Sequence, residues 1–332
     1  MQDKTIYTQL AEKLEIGGRK SKMVPLILEK LLDEDEARLV LAAAPPATVV
    51  ELAANTGFEP AKVEAMIDPL FRKGMLFKSR KPDGSIRYYR VRQVLQFHDS
   101  SAVMNDPPAG MLELWKEYTR TEWPEESRIF QTPVLRVIPI NVSLESNAQV
   151  LVSDDVRNLI SQARNVAVTK CSCRAIDGAC GQPVEVCLQL DKAADYAIER
   201  GTGRKLTQEE AIRLLEMCED QGLVHVAENK QGVGHVICNC CSDCCINWTA
   251  MRTGVGKFAQ PSRFRALVDT DECNGCEKCV ERCIFDALTM MDDGSVAVVD
   301  EEKCMGCGVC RPSCILEAIS MEVVRPEEFV PA

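Results

Sequence analysis

Histidine is scarce in this 332-residue chain, with only His98, His225 and His235 present. None has companions in the sequence that would suggest acid–base catalysis. His235 lies three residues before Cys238 and is read as a surface or core residue rather than a ligand. Nucleotide signatures are also missing. There is no Walker A loop, no nucleophile elbow and no dinucleotide fingerprint, and the lone pair Gly201-Thr202-Gly203 lacks the third glycine and the acidic partner that would complete one. No apolar run approaches bilayer length, and Met1-Gln2-Asp3-Lys4-Thr5 lacks the apolar core of a signal peptide. These absences argue against nucleotide chemistry, acyl transfer and a membrane span, and they predict a cytoplasmic protein. Hydrophobic residues at 46% and charged residues at 27% are ordinary for a globular chain long enough for two or three domains.

What the sequence has in abundance is cysteine, 18 in all. In a chain without an export signal, that number points to metal binding in a reducing, oxygen-poor cytoplasm rather than to disulfides. Eight of them form two copies of C-x2-C-x2-C-x3-C: Cys273, Cys276, Cys279 and Cys283, then Cys304, Cys307, Cys310 and Cys314. Each is offset from its counterpart by 31 residues, and the flanks repeat as well. Asp271-Glu272-Cys273-Asn274-Gly275-Cys276 matches Glu302-Lys303-Cys304-Met305-Gly306-Cys307, and Cys283-Ile284-Phe285-Asp286-Ala287-Leu288 matches Cys314-Ile315-Leu316-Glu317-Ala318-Ile319. Three thiolates two residues apart in a tight loop can cap three irons of one cube, with Gly275 and Gly306 relieving crowding where the backbone bends.

Roughly residues 265–325 resemble the bacterial two-cluster ferredoxins, which carry two 4Fe–4S cubanes in a βαββαβ fold. In that family the fourth cysteine of each run starts a short helix that leads away, and it ligates the other cluster. The resemblance therefore implies Cys273, Cys276, Cys279 and Cys314 on one cube, and Cys304, Cys307, Cys310 and Cys283 on the second. The sequence departs from the family in having Ile284 and Ile315 where proline usually follows the fourth cysteine, which removes a rigid φ but no ligand. From Arg265 to the end there are 15 acids against 6 bases, most of the chain's net charge of −11. An acidic surface of this kind steers docking onto a basic redox partner protein.

Residues 1–97 read as helices followed by a hairpin. Met23–Leu32, Asp35–Ala43, Thr48–Asn55 and Glu59–Lys73 carry helical apolar periodicity, and Met75–Ser79 and Ile86–Val91 flank a Pro82-Asp83-Gly84 turn. This order resembles the winged-helix family. The hairpin region is basic, with Arg72, Lys73, Lys78, Arg80, Lys81, Arg87, Arg90 and Arg92 against Asp83, a plausible phosphate footprint. In the helix expected to read bases, however, Glu59, Glu64 and Asp68 offset Lys62, Arg72 and Lys73. The module is accordingly expected to dock protein, either another protein or a second copy of the chain as a homo-oligomer, with nucleic acid as the competing ligand.

Residues 98–264 read as a linker followed by a cysteine-rich α/β domain. Val134–Val142 and Val166–Thr169 are strand-like, and Val156–Ala163 and Leu206–Gln221 helical. Cys171, Cys173, Cys180 and Cys187 precede the dense run Cys238, Cys240, Cys241, Cys244 and Cys245. Within that run, Cys238, Cys241 and Cys244 repeat the C-x2-C-x2-C spacing. They are the candidate ligands of a third cluster, completed by one of Cys171, Cys173, Cys180 and Cys187, with zinc as the competing metal. Cys218 falls on an amphipathic helix and is read as a small buried hydrophobe. The expectation is thus an α+β multidomain protein: winged-helix-like over 1–97, cysteine-rich over 98–264, ferredoxin-like over 265–332. Its expected role is intracellular electron transfer, as a carrier or as a subunit of a redox enzyme. The alternative is a cluster-bearing winged-helix regulator that senses redox state or oxygen.

Overall fold

A computed structural model describes residues 4–144, 150–252 and 257–332; the first three residues of the N-terminal segment read above lie outside the described residues, as do 145–149 of the expected linker. The chain divides into two compact units. One comprises Met1–Ile129 with the short segments Ser172–Gly178 and Arg200–Thr202; the other comprises Phe130–Cys171, Ala179–Glu199 and Gly203–Ala332. This division differs from boundaries at 97/98 and 264/265. Residues 98–129 are helical and fold with the first unit, and the cysteine-rich and ferredoxin-like segments share one unit.

In the first unit, α1 (Ile6–Glu12), α2 (Met23–Leu31), α3 (Glu34–Ala42), α4 (Val49–Thr56) and α5 (Pro60–Arg72) lead into the hairpin β1 (Leu76–Arg80) and β2 (Ile86–Arg90). Reciprocal capping boxes start α3 (Asp33 with Glu36) and α4 (Thr48 with Glu51), satisfying N–H groups that the first turn leaves without partners. Gly57 ends α4 in the left-handed conformation, which glycine adopts without a Cβ penalty. The hairpin pairs Leu76 with Arg90 through Arg80 with Ile86. α6 (Val94–Ala102), α7 (Met111–Thr121) and α8 (Trp123–Glu126) complete the run, with Trp115 fully buried and donating its indole N–H to Ser101 Oγ at 3.0 Å.

The second unit is built on a mostly antiparallel seven-stranded sheet. Its elements in chain order are β3 (Leu135–Ile138), α9 (Val156–Gln162), β4 (Val166–Lys170), α10 (Ser172–Asp177, which folds with the first unit), β5 (Glu185–Leu190), α11 (Lys192–Arg200), β6 (Gly203–Leu206), α12 (Gln208–Asp220), β7 (Val224–Glu228), β8 (Val236–Cys240), α13 (Ile246–Arg252) and β9 (Ala259–Gln260). The strand order is β6-β4-β5-β8-β7-β3-β9. Strand alternation gives the sheet two different faces. Ile138, Val166, Val168, Leu188, Leu190, Ala227 and Ile237 pack with Leu159 and Ile160 of α9 and Leu215 of α12. On the other face, Val137, Val224, Val226 and Cys240 share a core with Cys245, Trp248 of α13, Met305, Cys307 and Val309. That second core joins the sheet to the C-terminal segment.

The C-terminal segment runs β10 (Phe264–Val268), α14 (Lys278–Arg282), β11 (Leu288–Met290), β12 (Ala297–Val299), a 3-10 turn at Arg311–Ser313 and β13 (Ile319–Val323). β10 pairs with β13 and β11 with β12, both antiparallel. In place of the second helix of the expected βαββαβ order there is the single 3-10 turn, which contains Pro312.

Candidate metal centres

The sequence repeat is also a repeat of backbone conformation. Gly275 and Gly306 both have positive φ, +70° and +64°, and a Cβ on Gly275 would lie 2.7 Å from the Gly294 carbonyl oxygen. A Cβ on Gly306 would collide with the Phe264 carbonyl oxygen. Two further pairs at the same 31-residue offset are left-handed: Glu277 (φ 60°) with Gly308 (φ 75°), and Asp286 (φ 53°) with Glu317 (φ 54°). Composition gave no hint of these, because three of the four residues are acidic. Each fourth cysteine ends a helical segment rather than starting one: Cys283 caps α14 and Cys314 caps the 3-10 turn, both extended. Left-handed Asp286 and Glu317 follow three residues later and interrupt any helix there.

The geometry gathers the eight C-terminal thiols into two groups. Cys273, Cys276, Cys279 and Cys314 line one cavity of about 170 Å³, with Val268 and Ile319 among its apolar walls. Cys283 lies near Cys307 and Cys310, which burial first and then neighbouring thiols push up: Cys283 and Cys304 at Cys307, and Cys307, Cys304, Cys283 and Cys279 at Cys310. Burial is the larger cause: it raises Cys307 to about 12 and also raises Cys310 and Cys279. A bare thiolate would be expensive at such buried positions, whereas binding to iron offsets that cost, because the ligand is then held deprotonated by the metal. Four thiols facing a shared space thus fit a cubane, and the apolar surroundings fit a site that limits solvent access.

The two groups differ in exposure. Cys276 is exposed, as are Ile315 (79%) and Leu316 on the wall of its cavity. In the other loop, Cys304 through Cys310 are buried throughout. The Cys307 carbonyl accepts the Ile140 N–H at 2.9 Å, and Met305 C=O accepts the Ser262 N–H at 3.0 Å, so backbone bonds fasten the inner loop to the unit's interior. Trp248 of α13 meets Phe285 edge to face with ring centroids 5.0 Å apart.

In the cysteine-rich segment the structure regroups the expected ligands. Cys187 on β5 interacts with both Cys171 and Cys238, and Cys240 interacts with Cys238 and Cys245, so these thiols touch in a chain along the sheet. Cys238 and Cys240 are two apart on β8 and therefore share a face, whereas Asn239 points the other way. Both Cys187 and Cys240 have thiols raised well above the ordinary range, chiefly by hydrogen bonds to neighbouring thiols. Cys241 and Cys244 leave this chain and meet Cys180 and Asp243 instead. Cys173 sits on α10, and Cys218 is fully buried on α12. Of the expected set, Cys180, Cys241 and Cys244 converge, whereas Cys238 meets Cys187 and Cys240.

His225, without companions in the sequence, has them in the fold. It is fully buried, with Nδ1 2.6 Å from Asn239 Oδ1 and Nε2 3.1 Å from Glu219 Oε1, and Glu219 Oε1 also accepts the Asn141 N–H. Asn239 Nδ2 in turn donates to the Val186 carbonyl at 2.6 Å, so the network ties β8, which carries Cys238 and Cys240, to β5, which carries Cys187. His235 is exposed, as expected.

Residues 266–289 and 297–320 match the family described as 4Fe-4S binding domain. No curated protein and no solved structure matches the chain. The C-terminal segment is accordingly a ferredoxin-type iron–sulfur domain, which supports a role in electron transfer. The match covers that segment alone. Among the described residues, no helix is long and apolar enough to cross a membrane.

Proposed function

We propose that the protein is an electron carrier, or the electron-transfer subunit of a redox enzyme, working in a reducing cytoplasm. In this reading Cys273, Cys276, Cys279 and Cys314 hold an outer cubane, and Cys304, Cys307, Cys310 and Cys283 an inner one. A third cluster draws on the sheet thiols Cys171, Cys187, Cys238 and Cys240, which binding to separate irons would part from their present contacts. One observation carries the proposal: Cys307 of the inner loop shares an apolar core with Cys240 and Cys245 of the sheet group, while the outer loop keeps Cys276 exposed. Electrons would enter or leave at the outer cluster, where a redox partner protein docks, and pass inward to the sheet. Cysteine supplies the ligands, and the buried backbone and apolar side chains tune the potentials. Anaerobic purification of the full chain with iron and sulfide quantitation tests this. About 12 irons and 12 sulfides per chain are expected for three cubanes. About eight of each would remove the sheet cluster, and none would remove the reading altogether.

The regulator alternative rests on the hairpin module, and the ion pairs there weigh against it. Lys62 of α5 pairs with Asp35 at 2.5 Å, Arg72 with Asp68 at 2.8 Å, Lys73 with Glu36 at 2.6 Å and Arg87 with Glu51 at 3.1 Å. Arg90 is half-buried and donates to the Lys13 and Val91 carbonyls. Cations already engaged in this way release fewer counterions from a phosphate backbone. A docking role for the module, toward a protein or a second copy of the chain, is the reading these contacts favour.

A further inference from the structure

We propose that the second unit holds, besides its iron–sulfur clusters, a separate mononuclear zinc site made by Cys180, Cys241, Cys244 and Asp243. The ligand atoms of these four residues all lie within 4.8 Å of one another. That convergence is what a single tetrahedral ion requires. With Zn–S bonds of about 2.3 Å, thiolates at tetrahedral corners stand roughly 3.8 Å apart. A cubane binds each thiolate to a different iron and so holds its ligands further apart. The same molecule provides the contrast: Cys273, Cys276, Cys279 and Cys314 surround an open cavity of about 170 Å³ rather than converging on one point. The sheet thiols Cys171, Cys187 and Cys238 touch in a chain, with Cys187 between the other two.

Local structure explains how the four residues meet. Cys240 ends β8 on the sheet face, and the chain then turns through residues 241–245 before α13 begins. The turn carries Cys241 and Cys244 away from Cys238. Asp243 Oδ1 accepts the Cys244 N–H at 2.9 Å, which fixes the carboxylate beside that thiol. Cys180 arrives from the loop between α10 and β5, where Gly181 takes a positive φ of 65° that a side chain would resist. Cys241 and Cys244 are buried, Cys180 is half-buried and Asp243 is exposed. Three thiolates and a carboxylate, all zinc ligands, suit a tetrahedral, four-coordinate zinc when they converge on a single ion. All four positions are filled by protein, so the role is structural: the ion clamps the loop bearing Cys180 to the turn after β8.

The site does not depend on the electron-transfer reading, and one preparation separates the two. The full-length protein, expressed with iron and zinc both supplied and purified anaerobically, is analysed for zinc, iron and sulfide. One zinc per chain is expected, with a zinc-edge absorption spectrum fitting three sulfurs at about 2.3 Å and one oxygen at about 2.0 Å. Cys180→Ser and Cys244→Ser should each lower zinc at least fivefold and leave iron and sulfide unchanged, which also shows that the chain still folds. Cys244→His, which keeps a zinc donor, should retain the metal with two sulfurs in the shell. Wild-type protein without zinc would overturn the proposal. So would a Cys180→Ser variant that loses about four irons per chain, since those thiols would then belong to a cluster. If the serine variants do not fold, the wild-type absorption spectrum decides alone: a four-sulfur shell, or any shell lacking oxygen, removes Asp243 and with it the site as drawn.

Discussion

Gly306 shows how little room single residues have in the buried loop of residues 304–310. Its φ of +64° is left-handed, and its missing Cβ leaves space for the Phe264 carbonyl and the Ser262 hydroxyl, which donates to the Gly306 carbonyl at 2.7 Å. Gly306→Ala adds both backbone strain and overlap, and is expected to destabilise the loop by about 2–4 kcal/mol. Anaerobic preparations of this variant should lose the inner cluster's reduced electron-paramagnetic signal and keep the outer one; retention of both would show that the loop adapts. Glu126 tests a different kind of constraint. It is buried in the first unit, where desolvation raises its carboxyl to about 7 despite a 2.8 Å hydrogen bond donated by Tyr118. From its ordinary 4.5 up to about 7, the unfolded chain has released this proton and the folded chain still holds it. Stability from this group is therefore complete below about 4.5 and is lost as pH rises to about 7, on the order of 1–3 kcal/mol in all. Glu126→Gln should flatten that slope in denaturant midpoints followed by tryptophan fluorescence, because Trp115 and Trp123 both lie in the same unit.

At the scale of elements, the repeated loops differ in what covers them. One copy places Gly308 where the other has Glu277, and a Cβ on Gly308 would fall 2.7 Å from Ser143 Cβ, in the interior of the second unit. The equivalent Glu277 faces a loop whose Cys276 is exposed, so a long acidic side chain is tolerated there. Two loops with one spacing thus become an inner and an outer site. The proposed exchange of fourth ligands fits α14 and the 3-10 turn, which end at Cys283 and Cys314, and fits Cys314 lining the cavity of Cys273, Cys276 and Cys279. Replacing Cys283 with Ala should damage the cluster on Cys304, Cys307 and Cys310 and spare the nearer one in sequence, as read from resolved cluster signals. Loss at Cys273, Cys276 and Cys279 instead would overturn the exchanged assignment. Helix α5 gives the other element-level lesson: its periodicity is legible in sequence, but the pairing of Lys62 with Asp35 on another helix is not.

For the whole molecule, the ligand of the hairpin module is where the electron-transfer and regulator readings part. Selection from a random DNA pool, with reduced and with oxidised protein, is expected to yield no enriched motif, and any residual affinity should fall steeply with salt. A reproducible motif bound roughly a thousandfold more tightly than random DNA would favour the regulator. The 4Fe-4S binding segment, its two repeated loops and the helices and hairpin of the first unit were legible from the sequence, because metal spacing, apolar period and turn residues are local properties of the chain. Local spacing suggested Cys238, Cys241 and Cys244 with one of Cys171, Cys173, Cys180 and Cys187; of these the fold brings Cys180, Cys241 and Cys244 within 4.8 Å of one another, while Cys238 on β8 meets Cys187. Which thiols meet, which loop is buried and where the compact units divide depend on contacts between residues far apart in sequence. The strand order of the sheet and its two packed faces decided them, since alternation assigns each side chain to a face and only the fold determines what lies against it.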